Sequence, residues 1–337
     1  KHNLLVQILG CIASGRCDQY LNMNEDDLAE KLYKCLKGNR YLIILDDVWD
    51  IEPWNLSKPS LPDDANGSRI LFTSRFHNLS SQFKEDCTPH HLRQLTDEES
   101  WALLQPKIFD KEVCPPALRV VGKQIATNCR GLPLTVILVA GILSNVKEDC
   151  WEEVANSLSS RSVIETEHCM KTLELCYSHL PDYLKPCLLY LGAFQEDQDI
   201  PVRKLKLLWI SEGFVRKTEP SDLEDVADDY LKDLITRSLV MVTLQRSVGG
   251  VKACRIHDLV HEFCVEKAKE ERFLRILPGH TELSTYNGSY STDRFFIYSA
   301  TEEELKNSRL LFPNLRSLIW FCNHDWKFVL WCLLIPF

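Results

Sequence analysis

Residues Tyr41–Trp49 read YLIILDDVW, and the reading of this stretch decides the fold class. Five apolar residues in succession, Tyr41 to Leu45, suit a strand buried on both faces of a parallel sheet. Asp46 and Asp47 follow at once. In an open α/β sheet, ligands bind outside the carboxyl ends of the strands. A carboxylate buried there is costly unless a cation or hydrogen bonds compensate it. An apolar strand ending in Asp-Asp is therefore what a Walker B site needs. One carboxylate holds Mg²⁺ on a nucleotide phosphate and the other orients a water. The competing reading is a strand that stops at a solvated acidic turn, and this stretch alone leaves both open.

Working outward, the chain has 337 residues, which predicts two or three domains. Hydrophobic residues make up 45% and charged residues 26%, an ordinary globular composition. The formal net charge of −9 argues against a protein built to coat nucleic acid. No apolar run reaches bilayer-spanning length, so no transmembrane segment is expected. The chain begins with Lys1 rather than Met, without a signal-peptide plan, and the expectation is that residue 1 is not a biological start. None of the fourteen cysteines forms a Cys-x-x-Cys pair. Several (Cys176, Cys187, Cys254, Cys264) fall inside helical or strand patterns, which fits free thiols in a reducing, cytoplasmic compartment.

Periodicity predicts helices at Leu4–Ile12 and Glu25–Leu36, the second capped by Asn24 with acidic residues in its first turn. Ile70–Thr73 predicts a second short buried strand, and His91–Leu95 a third. Thr96 and Glu99 form a capping box. Pro116–Cys129 predicts a helix stopping at Gly131, and Pro133–Leu143 a helix apolar all round. Further helices are expected at Cys150–Leu158, Met170–Tyr177, Leu184–Leu191 and Val202–Glu212, then one capped by Ser221 with Glu224. Strands around Gly249-Gly250 make a hairpin, and His257–Glu271 a charged helix. Helices, a hairpin and a helix are a winged-helix pattern. Phe312–Leu318 reads as one leucine-rich-repeat strand. The aromatic tail HDWKFVLWCLLIPF has no reading.

Five stretches together carry a resemblance: YLIILDDVW, GSRILFTSR (Gly67 to Arg75), CRGLPL (Cys129 to Leu134), CLLYLGAFQED (Cys187 to Asp197) and IHDLVHEF (Ile256 to Phe263). In order and spacing they resemble the Walker B, sensor, GLPL, coiled-coil-class and MHD motifs of plant intracellular disease-resistance proteins of the NB-ARC and leucine-rich-repeat family. Trp49 favours the coiled-coil class over the Toll-like class. The resemblance implies an α/β truncated P-loop-type nucleotide-binding unit (1–110), an α-helical subdomain with the GLPL motif (111–180), a winged helix with an MHD-like motif (181–272) and a linker with an incomplete repeat start (273–337).

It also implies site roles. Asp46 holds Mg²⁺, Asp47 polarises the attacking water, and Arg75 senses the γ-phosphate. Pro133 packs on adenine beside Gly131 and Leu132, and His257 contacts the ADP phosphates in the closed state. Intact relatives are implied to switch from ADP to ATP, to oligomerise with like copies, and to perceive a pathogen effector or a guarded host protein in the defence response. Two departures stand out. Ile256 replaces the usual Met, a mild apolar swap. No Gly-x-x-x-x-Gly-Lys-Ser/Thr occurs in the 337 residues, so the chain reads as an internal fragment with weak or absent ADP/ATP and Mg²⁺ binding and no ATP turnover.

Two other functions compete. A winged-helix DNA-binding regulator is disfavoured by charge. Between Ser221 and Arg237 stand Asp222, Glu224, Asp225, Asp228, Asp229 and Asp233 against Lys232 and Arg237, while Arg203, Lys204 and Lys206 lie on an earlier helix. A zinc hydrolase is suggested by His257 and His261 at i and i+4, yet Asp258 is shorter than the Glu such a base needs, and no third ligand is evident.

Overall fold

A computed structural model describes residues 1–13, 18–48, 50–75, 89–110, 112–159, 165–216, 222–247, 249–277, 294–298 and 317–321. The chain divides into two compact units, Lys1–Leu92 and Arg93–Phe337. Trp49, Ser221, Phe312 to Arg316 and the aromatic tail lie outside the described residues.

In the first unit, α1 (His2–Ile12) and α2 (Glu25–Leu36) precede β1 (Leu42–Leu45), and α3 (Glu52–Ser57) leads to β2 (Arg69–Phe72). The Asn24 side chain accepts from the Asp27 amide at 2.8 Å, the cap the sequence predicts. β1 and β2 pair in parallel, from Leu42 opposite Arg69 to Leu45 opposite Phe72. Leu5, Leu9, Leu28 and Leu32 form a core with Ile43. Ile51 and Trp54 form a smaller one, with Phe72 edge-on to Trp54 at 5.0 Å.

The expectation of a strand buried on both faces fails here. Ile43 is buried, but Leu42 is 63% exposed and Ile44 58%. The helices cover the face that carries Ile43. Leu42 and Ile44 line an apolar groove of about 800 Å³ together with Leu4, Ile8, Ile12 and Trp54. The expected strand at His91–Leu95 is also absent: these residues form no strand, and the Leu95 amide donates to the Gly131 carbonyl.

In the second unit, α4 (Asp97–Phe109), α5 (Pro116–Asn128), α6 (Pro133–Leu143), α7 (Trp151–Leu158) and α8 (Glu165–Ser178) form a helical layer. The Thr96 and Glu99 capping box opens α4 as the sequence predicts. Then come α9 (Lys185–Leu191), β3 (Ile200–Pro201), α10 (Val202–Ser211), α11 (Leu223–Thr236), β4 (Met241–Gln245), β5 (Val251–Arg255) and α12 (Asp258–Glu270). The three strands make an antiparallel sheet in the order β3-β5-β4, and Gly249 and Gly250 turn the hairpin at positive φ. The N-cap of α11 is Asp222, which accepts from the Leu223 amide at 2.7 Å.

One core runs from Leu104 to Phe296 across the helical layer and the winged helix. Gly141 of α6 stands against the Arg237 carbonyl, where a Cβ would come within 2.2 Å of the oxygen. Three further strands, β6 (Arg275–Leu277), β7 (Arg294–Tyr298) and β8 (Ser317–Phe321), pair in parallel in chain order. All ten described cysteines are free thiols, with Cys11 and Cys35 exposed. Burial pushes Cys129 and Cys254 up to about 12 and Cys169 up to about 11.

Candidate functional site

The parallel register places the ends of β1 and β2 side by side, so Asp46-Asp47-Val48 faces Thr73-Ser74-Arg75. The Val48 amide donates to the Thr73 carbonyl at 2.8 Å, and the Ser74 hydroxyl to the Val48 carbonyl at 2.8 Å. The Thr73 hydroxyl bridges the acidic pair. It accepts from the Asp47 amide at 2.8 Å and donates to Asp46 Oδ1. Asp47 sits at φ 49°, a left-handed conformation that Asp tolerates better than most residues, and this turns the chain out of the strand. Arg75 meets Asp47 with two nitrogens, Nε to Oδ1 at 3.2 Å and Nη2 to Oδ2 at 3.3 Å.

This donor set fits a hydrated Mg²⁺ on a phosphate. Such an ion takes one or two protein carboxylates and completes its shell with water and phosphate oxygens. Asp46 would supply a carboxylate to such an ion, whereas Asp47 is held by Arg75, whose fork would have to leave it to meet a phosphate. A backbone cradle for the phosphates themselves is not among these residues.

In the second unit Gly131 adopts φ +69° between Arg130 at φ 55° and Leu132. A Cβ at Gly131 would lie 2.2 Å from the Leu95 carbonyl oxygen, and the Leu95 amide donates to the Gly131 carbonyl at 2.9 Å. Only glycine meets both the conformation and the close approach. Leu132 is the N-cap of α6 and Pro133 its first residue, exposed above a helix that is otherwise largely buried. His257 is the N-cap of α12, its Nδ1 accepting from the Leu259 amide at 3.2 Å. That bond assigns the ring proton to Nε2, leaving a donor suited to an anion.

Thus Asp46, Asp47 and Arg75 form one cluster in the first unit. Gly131, Leu132 and Pro133 form one turn in the second, and His257 heads a separate helix there. Thr73 was missed by sequence reasoning as a site residue. Its signal was position: the first polar residue after the neighbouring apolar strand, level with the acidic pair.

His261 Nε2 lies 2.7 Å from the Phe194 carbonyl, so both histidines of the i, i+4 pair bond the backbone. Among the described residues no group of three or more His, Cys, Asp or Glu is placed to hold a metal. Lys206 is buried and paired with Asp228 at 2.7 Å, which takes it out of any basic surface. No described helix is long and apolar enough to cross a membrane.

Comparison with known proteins bears on the same segments. The NB-ARC domain model matches residues 3–114, and the disease resistance protein winged helix domain model matches residues 193–264. The chain is similar to the putative late blight resistance protein homolog R1B-23 of Solanum demissum, 44% identical over 283 residues, covering 81% of this chain and 22% of that protein. It is similar to homolog R1B-16 of the same plant, 43% identical over 309 residues (89% and 23%), and to late blight resistance protein R1-A, 44% identical over 278 residues (81% and 21%). The chain thus spans about a fifth of the length of these curated relatives. With both domain models matched in order and this identity over most of its length, the chain belongs to the family of NB-ARC disease-resistance proteins.

Proposed function

We propose that the chain is the NB-ARC portion of a plant intracellular immune receptor, an ADP/ATP-dependent switch in the response to pathogens. The observation that carries this is the cluster at the ends of β1 and β2. In this reading Asp46 holds Mg²⁺, Asp47 orients water, and Arg75 exchanges its pairing with Asp47 for the γ-phosphate. Thr73 fixes the two carboxylates relative to each other. Pro133 offers an exposed apolar surface for adenine, and His257 an Nε2 donor for the ADP phosphates. When bound, Mg²⁺ neutralises phosphate charge. The divisions 1–110, 111–180, 181–272 and 273–337 serve as nucleotide-binding, helical, winged-helix and repeat-start segments. The last is supported by spacing. Successive register partners Arg275, Phe295 and Leu318 stand 20 and 23 positions apart, within the leucine-rich-repeat range. The receptor in this reading is cytoplasmic, of the coiled-coil class, oligomerises on activation and answers to an effector or guarded host protein.

Residues 1–337 by themselves do not turn over ATP in this reading. A phosphate loop supplies backbone N–H groups and a Lys that the Asp46 cluster does not replace. Losing about four hydrogen bonds to charged groups costs about 6 kcal/mol, on the order of 10⁴-fold in affinity. Calorimetry with ADP and Mg²⁺ and a phosphate-release assay test this, with neither micromolar binding nor release expected. Micromolar ADP binding would show that other groups carry the nucleotide. In a chain of the relatives' full length, His257→Ala loosens ADP retention and raises signalling without a pathogen. Unchanged retention and signalling would reduce His257 to its capping role.

A further inference from the structure

His168, in the first turn of α8, is 1% exposed, and neither ring nitrogen makes a hydrogen bond. The ring lies at the C-terminal end of α5, where the Asn128 carbonyl faces it without completing a hydrogen bond and Arg130 is close enough to act on it. The residues beside His168 tie α8 to both walls of the Gly131 turn. Gln94 Nε2 donates to Glu165 Oε1, next to the Leu95 amide that bonds the Gly131 carbonyl. Thr135, two residues beyond Pro133, meets the Cys169 thiol. The start of α8 is therefore the seat of the Gly131 turn, and an ionisable ring is buried in that seat.

We propose that His168 is a proton-operated wedge: neutral, its ring lets the start of α8 seat the Gly131 turn, and protonated, it drives the two apart. An imidazole changes charge near neutral pH, and a charge at this depth is unfavourable. Burial acts most strongly against the charged form and Arg130 next, with Lys171 adding to them. The Asn128 carbonyl favours it, and the outcome holds the ring below its ordinary 6.5. The other ionisable groups on the packed elements are placed elsewhere. α6 has no titratable side chain, and Glu152 and Glu153 of α7 are exposed. Glu165 accepts from Gln94, Glu167 meets Lys171 at 2.9 Å, and burial keeps Cys129 and Cys169 as thiols. α12 meets the far end of α8, through Tyr177 with Glu271 and Lys267 with Glu174. Above pH 6.5 the ring is neutral whether the turn is seated or open. Below it the open form takes up a proton that the seated form refuses, so opening gains as pH falls. The wedge does not rest on the nucleotide reading, because the amides of the turn report it without any ligand.

The test is amide hydrogen exchange followed by mass spectrometry on the full 337-residue chain, at about pH 7.5 and about pH 5.5, read as protection so that the intrinsic pH dependence cancels. Peptides carrying the Leu95, Arg130 and Leu132 amides, which bond the Gly131, Thr127 and Cys129 carbonyls, lose up to about tenfold in protection. That is the ratio for a group with an ordinary value of 6.5 that binds its proton only in the open form. Those of α11 change by less than about twofold. His168→Phe and His168→Gln have no proton to bind, and in each the turn is protected equally at both pH values. Exchange of the imidazole carbon-bound hydrogen, followed on the peptide that carries His168, gives a titration below 6.5. Turn protection that ignores pH in the unsubstituted chain, a pH response that survives either substitution, an equal loss in α11, or a ring titrating at or above 6.5 would each overturn the wedge. Should neither variant fold, the response of the unsubstituted chain and the ring titration decide by themselves.

Discussion

Two apolar runs of this chain, Tyr41–Leu45 in the first unit and Pro133–Leu143 in the second, look alike as sequence and differ as structure. Leu138 and Val139 of α6 touch no solvent, packed in the core of the helical layer. In β1 only alternate residues are covered, and Leu42 and Ile44 stand at an open groove. An apolar run thus reports how much cover an element is written for. The neighbours decide how much it receives, and with it how much a given side chain contributes to stability.

The contrast breaks most sharply on truncation. Leu138→Ala costs about 3 kcal/mol, the scale for a filled core site, whereas Ile44→Ala costs less than about 0.5 kcal/mol. Urea unfolding of each variant checks this, and equal losses would erase the difference between the units. The exposed strand has its own signature. Ile44→Lys lowers self-association in light scattering, because an apolar strand with an unpaired edge recruits other chains. A monodisperse wild-type chain would remove the premise.

Glycines sharpen the comparison at the next level. Gly141→Ala forces a Cβ onto the Arg237 carbonyl and costs about 2 kcal/mol. Gly38→Ala in the first unit meets nothing within 4 Å and bears only the strain of φ +77°, about 1 kcal/mol. Thermal melts of the two variants separate packing from backbone strain. A smaller effect belongs to Thr73→Val, which removes the acceptor of the Asp47 amide and speeds its exchange about fivefold.

The smallest effect is set by pH. The Glu99 carboxyl is held down to about 2, first by its hydrogen bond with Arg93 and then by the Thr96 amide. Its folded value lies below the ordinary 4.5, so its contribution is complete above pH 4.5 and fades as pH falls toward 2. Amides in the first turn of α4 lose protection across that window, and Glu99→Gln abolishes the dependence. The group is fully exposed, so the change is slight.

Much of this was legible in the chain. Asn24, Thr96 with Glu99, Gly131 and the Gly249-Gly250 turn announce themselves, because caps and positive-φ turns are local chemistry. The apolar run before Asp46 and Asp47 was equally local, and it is observed as β1. Thr73 was not, since its role exists only once the register sets β2 beside β1. His168 gave no signal either, because a buried histidine looks like a surface one until the fold is known. Asp222 caps α11, and the expected cap Ser221 lies outside the described residues.

Among the described residues the two exposed thiols lie in the first unit and the most deeply buried ones in the second, and that gives the chain a clock. Cys11 and Cys35 meet solvent directly, so an alkylating reagent modifies them at the rate of the reagent. Cys129, Cys169, Cys176, Cys187, Cys254 and Cys264 are buried as protonated thiols. They react only when the second unit opens. Under excess reagent, the later mass additions on the peptides that carry these six cysteines therefore count openings of that core, with no dye, label or engineered residue.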